Sequence, residues 1–274
     1  MFHQFTPSNG MRLVAVCLLV GAAYGEDTPH AALRDQLFQY EPTYFAIDPG
    51  LGSRPVNAKF QLSFSIRLVE PRGSDEDQGA LRPDGLYLAY SQTSFWDLQS
   101  ESKPFLDSSY RPEAWWHVGV PSHGLADNLA LEPGIGHESN GRPEDTSRSL
   151  NHAFVRLAAE WQVGDLTVLA QPRARIYLEK EENPDLPRYR GYVDWVASVG
   201  RRESWQVACT ARVGDRFDRG SLQTELTYPT EPLSGDMVHG FIYFQAFLGW
   251  SETLLGYNER SDPPHLLVGF AVTR

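Results

Sequence analysis

The sequence predicts an all-β chain, a transmembrane antiparallel β-barrel of about 12 strands. Three observations carry that expectation. Apolar and polar residues alternate with a period of two along the body of the chain. Strand-length runs recur there, separated by polar connections. A short apolar run near the N-terminus marks the chain for export, and no later run reaches the roughly 18 apolar residues of a membrane helix. Composition agrees, since 41% hydrophobic and 22% charged residues describe a folding chain. With 24 Lys+Arg against 35 Asp+Glu, the net charge of -11 excludes the basic face that a nucleic-acid binder needs.

Residues 13–23 read LVAVCLLVGAA, preceded by Arg12 and followed by Ala23-Tyr24-Gly25 and then Glu26-Asp27. A basic flank, a short apolar core and small residues at the cleavage spacing are expected of a secretory signal peptide, so residues 1–25 are set aside from the fold. Met11 offers an alternative start. Cys17 falls in this segment, and Val14-Ala15-Val16 before it lacks the small residue that a lipid-modified cysteine wants. Cys209 is then the lone thiol of the exported chain and cannot form an internal disulfide. Residues 26–55 alternate weakly and hold several prolines. They read as a periplasmic N-terminal segment with a short helix near 31–40, leaving 56–274 for the barrel.

The clearest strand is 59–68, KFQLSFSIRL. Phe60, Leu62, Phe64, Ile66 and Leu68 point one way and Lys59, Gln61, Ser63, Ser65 and Arg67 the other. The same pattern places Arg173 and Arg175 opposite Ala174 and Ile176, and gathers Leu266, Val268, Phe270 and Val272 on one face. Strands are expected near 57–69, 85–95, 112–120, 128–139, 149–163, 165–178, 189–201, 204–214, 219–229, 237–247, 249–258 and 265–273. The short joints at 163–165 and 200–203 read as turns of one rim, and the longer polar ones at 73–83 and 139–146 as loops of the other. Trp96, Trp115, Trp116, Trp161, Trp195, Trp205 and Trp250 stand near the expected strand ends, as interface girdles do. A soluble β-sandwich or lipocalin-like barrel is the alternative, but its interior is usually apolar, whereas here the face opposite the apolar one is rich in Arg, Gln, Ser and Glu.

The hairpin 136–151 carries the chemistry. In the strand register, Leu129, Leu131, Ile135, His137 and Ser139 share the apolar face, and so do Asn151, Ala153 and Val155 in the next strand. Pairing through 140–148 sets His137 opposite Asn151 and Ser139 opposite Ser149. A serine needs a base to take its proton, and the base needs an orienting partner; Ser139, His137 and Asn151 fill those roles. An asparagine holds the imidazole but gives its cation less electrostatic help than an aspartate would. No Gly-x-Ser-x-Gly elbow is present.

Here the chain closely resembles the outer membrane phospholipase A family. That family's His-Asp-Ser-Asn-Gly-Arg and Ser-Arg-Ser-x-Asn motifs appear as His137-Glu138-Ser139-Asn140-Gly141-Arg142 and Ser147-Arg148-Ser149-Leu150-Asn151. Ser91-Gln92-Thr93-Ser94-Phe95-Trp96, Pro104-Phe105, Tyr110, Pro112-Glu113, Asn183-Pro184-Asp185, Tyr189 and Gly191-Tyr192 match further stretches, so the resemblance spans nearly the whole mature chain.

The resemblance implies a twelve-stranded barrel in the outer membrane that hydrolyses sn-1 and sn-2 acyl esters of phospholipids and lysophospholipids. It implies Ser139 as nucleophile, His137 as general base and Asn151 as orienting residue, with activation by calcium and by homodimerisation. An outward-facing serine meets lipid esters without lifting the lipid from the bilayer. Its oxyanion finds few donors there beyond the Ser139 N–H, so a hard divalent cation with oxygen ligands suits the site. By resemblance the calcium ligands are the Arg142 carbonyl, the Ser147 hydroxyl and Ser102 of a second copy, with Glu144 and Glu182 at a second position. Gln92, polar within a membrane strand, corresponds to the family's dimer-interface glutamine. The chain departs from the family pattern at Lys103 beside Ser102, at Glu144 in place of Asp, at Leu150 in place of an aromatic and at the terminal Arg274. A non-catalytic barrel, a narrow channel or a structural protein, is the competing function class, with a soluble esterase behind it.

Overall fold

The computed structural model describes residues 37–49, 57–69, 82–201, 203–235 and 237–274. The expected signal peptide, residues 31–36 of the helix expected near 31–40 and most of the 73–83 loop lie outside the described residues; Leu37–Phe38, within that expected helix, form a strand instead. Fourteen strands form one antiparallel sheet: β1 (Leu37–Phe38), β2 (Tyr44–Ile47), β3 (Asn57–Val69), β4 (Arg82–Asp97), β5 (Phe105–Gly119), β6 (Asn128–Ser139), β7 (Ser149–Val163), β8 (Leu166–Ala170), β9 (Arg173–Glu179), β10 (Val193–Gly200), β11 (Gln206–Val213), β12 (Gly220–Pro229), β13 (Phe241–Trp250) and β14 (Arg260–Ala271). Apart from β1 and β2, which both pair with β3, and β8 and β9, which both lie between β7 and β10, each strand pairs with its neighbour in chain order; β2 bridges β14 and β3, Tyr44 lying opposite both Ala271 and Gln61. The sheet therefore closes on itself and no spanning strand keeps a free edge.

Two spanning strands are broken. β8 and β9 both fill the gap between β7 and β10, interrupted at Gln171-Pro172, where proline has no N–H to give the ladder. β1 and β2 both lie along β3, interrupted by Pro42. Counting each broken pair once, the barrel has twelve spanning strands. That total equals the expected one, although one member of the expected set is replaced.

The expected strand at 249–258 does not form. β13 already ends at Trp250, and residues 251–259 make a rim loop whose apolar residues have another use. Leu254 and Tyr257 are buried against Leu150, Leu186 and Tyr189 in a cluster that plugs the rim. The segment read as periplasmic, 26–55, supplies the missing strand. Tyr44 and Ala46 turn inward and Phe45 and Ile47 outward, an alternation too short between Pro42 and Pro49 to register as a strand in the sequence. Residues 189–190, expected to open a strand, belong instead to the helical turn Pro187–Arg190, started by Pro187. β5 begins at Phe105, well before the expected 112, and runs through Pro112.

Rim assignment follows strand parity and not loop length. Connections after β2, β4, β6, β9, β11 and β13 share one rim. Those after β3, β5, β7, β10 and β12 share the other, so the strand ends at Val69 and Arg82 lie on the same rim as the tight turn at Gly164-Asp165. Not every tryptophan is in a girdle: Trp115 faces inward, stacked between Tyr40 and Tyr87, and Trp250 packs against Tyr189.

Outward faces are apolar, with Leu131, Ile135, Val155, Ile176 and Leu178 among the exposed residues. The inside is cross-linked by charge: Arg173 pairs with Glu113, Arg111 with Glu41 at 2.6 Å, Arg212 with Asp194 at 2.9 Å. Buried ions persist only when paired; Glu113 and Arg173 come from β5 and β9, which are not neighbours in the sheet, whereas Asp194 and Arg212 face each other across the β10–β11 ladder. A polar cavity of about 600 Å³ remains between them.

Candidate active site

Strand alternation aims the site. In β6, Ala130, Glu132 and Glu138 are buried while Leu131 and Ile135 are exposed, so the odd-numbered residues His137 and Ser139 look outward. Glu138 between them is held inside: Ser109 Oγ donates to it at 2.7 Å and Arg190 Nη1 at 2.8 Å. A one-residue slip would put Glu138 against lipid and Ser139 in the lumen, so this buried ion pair guards the register. Gly136 guards it sterically. A Cβ there would meet His152 Cε1 at 2.7 Å, which means the inward space is already filled by an imidazole from β7.

Across the hairpin, His137 lies opposite Asn151 and Ser139 opposite Ser149, the expected register. His137 Nδ1 and Asn151 Oδ1 are 2.8 Å apart. An amide oxygen only accepts, so Nδ1 carries the proton and Nε2 keeps its lone pair, the tautomer that a general base needs. The amide's other end is tied as well, because Asn151 Nδ2 donates to the Glu179 carboxylate. Ser139, two residues from His137 on the same face, is flanked across the ladder by Tyr110 and Ser149. Among the described residues its hydroxyl has no hydrogen-bond partner, so the Ser139–His137 leg stands open. Such contacts are often long before substrate binds.

The loop 140–148 is organised by Asn140, which is 4% exposed. Its Oδ1 accepts the N–H groups of Arg142 at 3.3 Å and Arg148 at 3.0 Å, and its Nδ2 donates to Thr146 O at 2.9 Å. Gly141 takes φ +65° beneath the Tyr110 ring, 3.1 Å from where a Cβ would sit. This folding presents Ser147, whose Oγ donates to Glu182 Oε1 at 2.9 Å. Arg142 points its guanidinium back at the Phe105 and Leu106 carbonyls, and among the described residues no donor takes its own carbonyl.

The remaining sequence-derived residues are dispersed. Ser102 sits in the exposed turn 98–104 on the same rim, where Trp96 Nε1 donates to Lys103 O at 2.7 Å. Glu144 starts an exposed 3-10 turn, and among the described residues no hydrogen bond joins it to Glu182. Gln92 faces outward in β4 within a small polar chain, accepting from Tyr90 Oη at 3.1 Å and donating to Ser94 Oγ at 3.2 Å. No group of three or more His, Cys, Asp or Glu able to hold a metal occurs among the described residues. The donors at the hairpin rim are a hydroxyl, a carboxylate and a free carbonyl, all hard oxygens that suit calcium better than a transition metal.

Sequence reasoning missed Asn140, Glu179 and the Glu138–Arg190 pair. The Asn140-Gly141 turn dipeptide signals the first. The others depend on contacts between distant segments and have no local signal.

Comparison with known proteins is consistent along the chain. The family model described as Phospholipase A1 matches residues 33–271. The putative phospholipase A1 of Neisseria meningitidis serogroup B is 28% identical over 214 residues, covering 74% of this chain and 52% of that protein. The phospholipase A1 of Salmonella typhimurium is 30% identical over 210 residues, covering 75% of this chain and 66% of that protein. The chain thus spans about half to two thirds of the length of these curated relatives. Among solved structures, the Salmonella typhi outer membrane phospholipase dimer with bound calcium superposes with a TM-score of 0.72 at 24% identity, covering 90% of this chain and 94% of that one. Outer membrane phospholipase A from Escherichia coli gives 0.67 at 24%, covering 88% and 95%. At that identity the likeness concerns the fold.

Proposed function

We propose, from the premise that the chain belongs to the phospholipase A1 family, that it is a calcium-dependent phospholipase of the outer membrane. Its substrates on this reading are phospholipids and lysophospholipids, cleaved at sn-1 and sn-2 acyl esters. The observation that carries the proposal is the 2.8 Å His137–Asn151 hydrogen bond on the outward face of the barrel, two residues from a serine whose hydroxyl has no hydrogen-bond partner among the described residues. A structural histidine would gain nothing from facing lipid with one nitrogen left free.

In the reaction, Ser139 Oγ attacks the ester carbonyl while His137 Nε2 takes its proton. The same imidazole returns the proton to the departing glycerol oxygen, then activates the water that releases the fatty acid. Asn151 holds the Nδ1–H and keeps Nε2 aimed at the serine throughout. The Ser139 backbone N–H is the nearest protein donor for the oxyanion. Calcium, when bound, would supply the positive charge that this donor-poor outer wall lacks. The Arg142 carbonyl and Ser147 hydroxyl would hold it, with Glu182 beside them and Ser102 contributed by a second copy. Gln92 would mark the contact between copies, which would make a homodimer the active form. Glu144 is the weakest member of the proposed metal set, since it lies in an exposed turn with no hydrogen bond to Glu182 among the described residues.

The test is fatty-acid release from phosphatidylcholine mixed micelles by refolded protein, with calcium or chelator, beside Ser139→Ala. Release should need calcium and fall by at least about 1000-fold in the variant. Equal release by both proteins would remove the serine mechanism. Ion conduction through the refolded barrel without any release would favour the channel reading.

A further inference from the structure

We infer that Glu179 is a positioning residue for the His137–Asn151 pair, brought to it by a bulge in β9; the inference rests on the phospholipase reading above and deepens it. Along β9, Arg173, Arg175 and Tyr177 face inward, Arg175 and Arg173 pairing with Asp194 and Glu113, while Ile176 and Leu178 are 61% and 62% exposed on the outer wall. Simple alternation would send Glu179 inward with the other odd-numbered residues. It does not go there. Between Asn151 and His152 the ladder with β9 shifts register: His152 pairs with Tyr177, but Asn151 pairs with Glu179. Leu178 is the extra residue. A bulge of this kind re-aims the side chains beyond it, and here it turns Glu179 outward beside the outward-facing Asn151.

The consequence is chemical. A carboxylate accepts and an amide nitrogen donates, so the Glu179–Asn151 contact admits only one of the two amide orientations, with Nδ2 toward Glu179 and Oδ1 toward His137. The flipped amide would present N–H groups to His137 and select the tautomer that cannot act as base. Glu179 also sets a negative charge behind the amide, in line with the imidazole. Asn151 alone lacks the charge that an aspartate would place there; Glu179 supplies it one residue further out, through the amide.

The test compares Glu179→Ala and Glu179→Gln in the full-length refolded protein and in an Asn151→Ala background. Glu179→Ala should lower kcat about tenfold with KM changed less than twofold, the loss of one fixed hydrogen bond in the transition state. Glu179→Gln, which can still accept from Nδ2, should regain most of it. In the Asn151→Ala background the Glu179→Ala change should have no further effect on kcat, because its partner is gone. A loss of the same size in that background, or no loss in the native one, would overturn the assignment. A second readout is independent of turnover. In ¹⁵N-histidine spectra His137 should be a single Nδ1–H tautomer in the native protein and a mixture in Glu179→Ala; identical spectra would overturn the proposal even if the protein hydrolysed nothing. Failure of the phospholipase reading shows instead as equal release by native protein and Ser139→Ala.

Discussion

Arg190 Nη1 donates to Glu138 Oε2 at 2.8 Å, and this ion pair inside the barrel sits between the two outward-facing residues that form the site. Both side chains are buried, 6% and 9% exposed. Arg190 Nε also donates to Ser251 Oγ at 2.7 Å, so a single guanidinium ties the helical turn 187–190 and the 251–259 loop to the hairpin. Replacing Arg190 by Met would leave a buried carboxylate with Ser109 as its remaining hydrogen-bond partner. Such a loss costs about 3–5 kcal/mol, far more than the pair contributes net. The expected result is a lower unfolding temperature in the heat-dependent gel shift of the folded barrel. The Glu138→Gln/Arg190→Met double variant should recover part of it.

Gly136 is the tightest point of the hairpin. Gly136→Ala sets a methyl 2.7 Å from His152 Cε1, and overpacking of this kind costs about 1–3 kcal/mol. Because the obstacle is the far end of one side chain, His152→Ala in the same molecule should relieve the strain. Urea titration of single and double variants checks this. Equal destabilisation with and without His152 would contradict the assigned contact.

The two glutamates of the calcium proposal should separate. Glu182 is hydrogen-bonded to Ser147, whereas Glu144 lies in an exposed turn with no link to either. Glu182→Gln and Ser147→Ala should raise the calcium concentration for half-maximal fatty-acid release by about tenfold or more, the scale of one lost ligand or its orienting partner. Glu144→Gln should leave it within about twofold, as expected of an exposed charge. Ser102→Ala should weaken calcium dependence without altering the gel-shift unfolding temperature. Isothermal titration with calcium on the same proteins separates binding from turnover.

Tyr257 gives the rim a pH limit. Burial first, and then the hydrogen bond and charge of Asp185, push its hydroxyl from 10.0 up to about 12. A raised folded-state value means that the neutral phenol is favoured by folding. Its contribution is complete below the unfolded value near pH 10 and is lost as pH climbs from there through about 12. Hydrogen exchange in 251–259 should be flat up to about pH 10 after correction for intrinsic rate and rise above it. Tyr257→Phe should remove that rise. An unchanged rise in the variant would assign it to another group.

Local residues foretold much of the barrel and of the site. The run 59–68 announces β3 by itself, and the spacing of His137, Ser139 and Asn151 is enough to place them on one wall, because alternation and a hairpin pairing are properties of neighbouring residues. The expectation failed where long-range packing overruled the local pattern. Leu254 and Tyr257 look like a strand and instead fill the rim with Leu150 and Leu186, more than sixty residues away. Tyr44–Ile47 looks like a linker and becomes the stave that closes β14 onto β3, since a sheet with two open edges inside a membrane would leave backbone groups unpaired.

From sequence alone came the wall, its two faces and the chemical identity of the hairpin residues, all written in a period of two and in short-range spacing. What needed tertiary structure was which segment closes the ring, which rim each connection joins, and which partners brace the hairpin from behind: Arg190 on Glu138, Asn140 within its loop, Glu179 on Asn151. The reason is physical. Alternation assigns a side chain to a face, but a bulge, a ring closure or a buried ion pair is chosen by the free energy of contacts between residues far apart in the chain, and no local pattern carries that information.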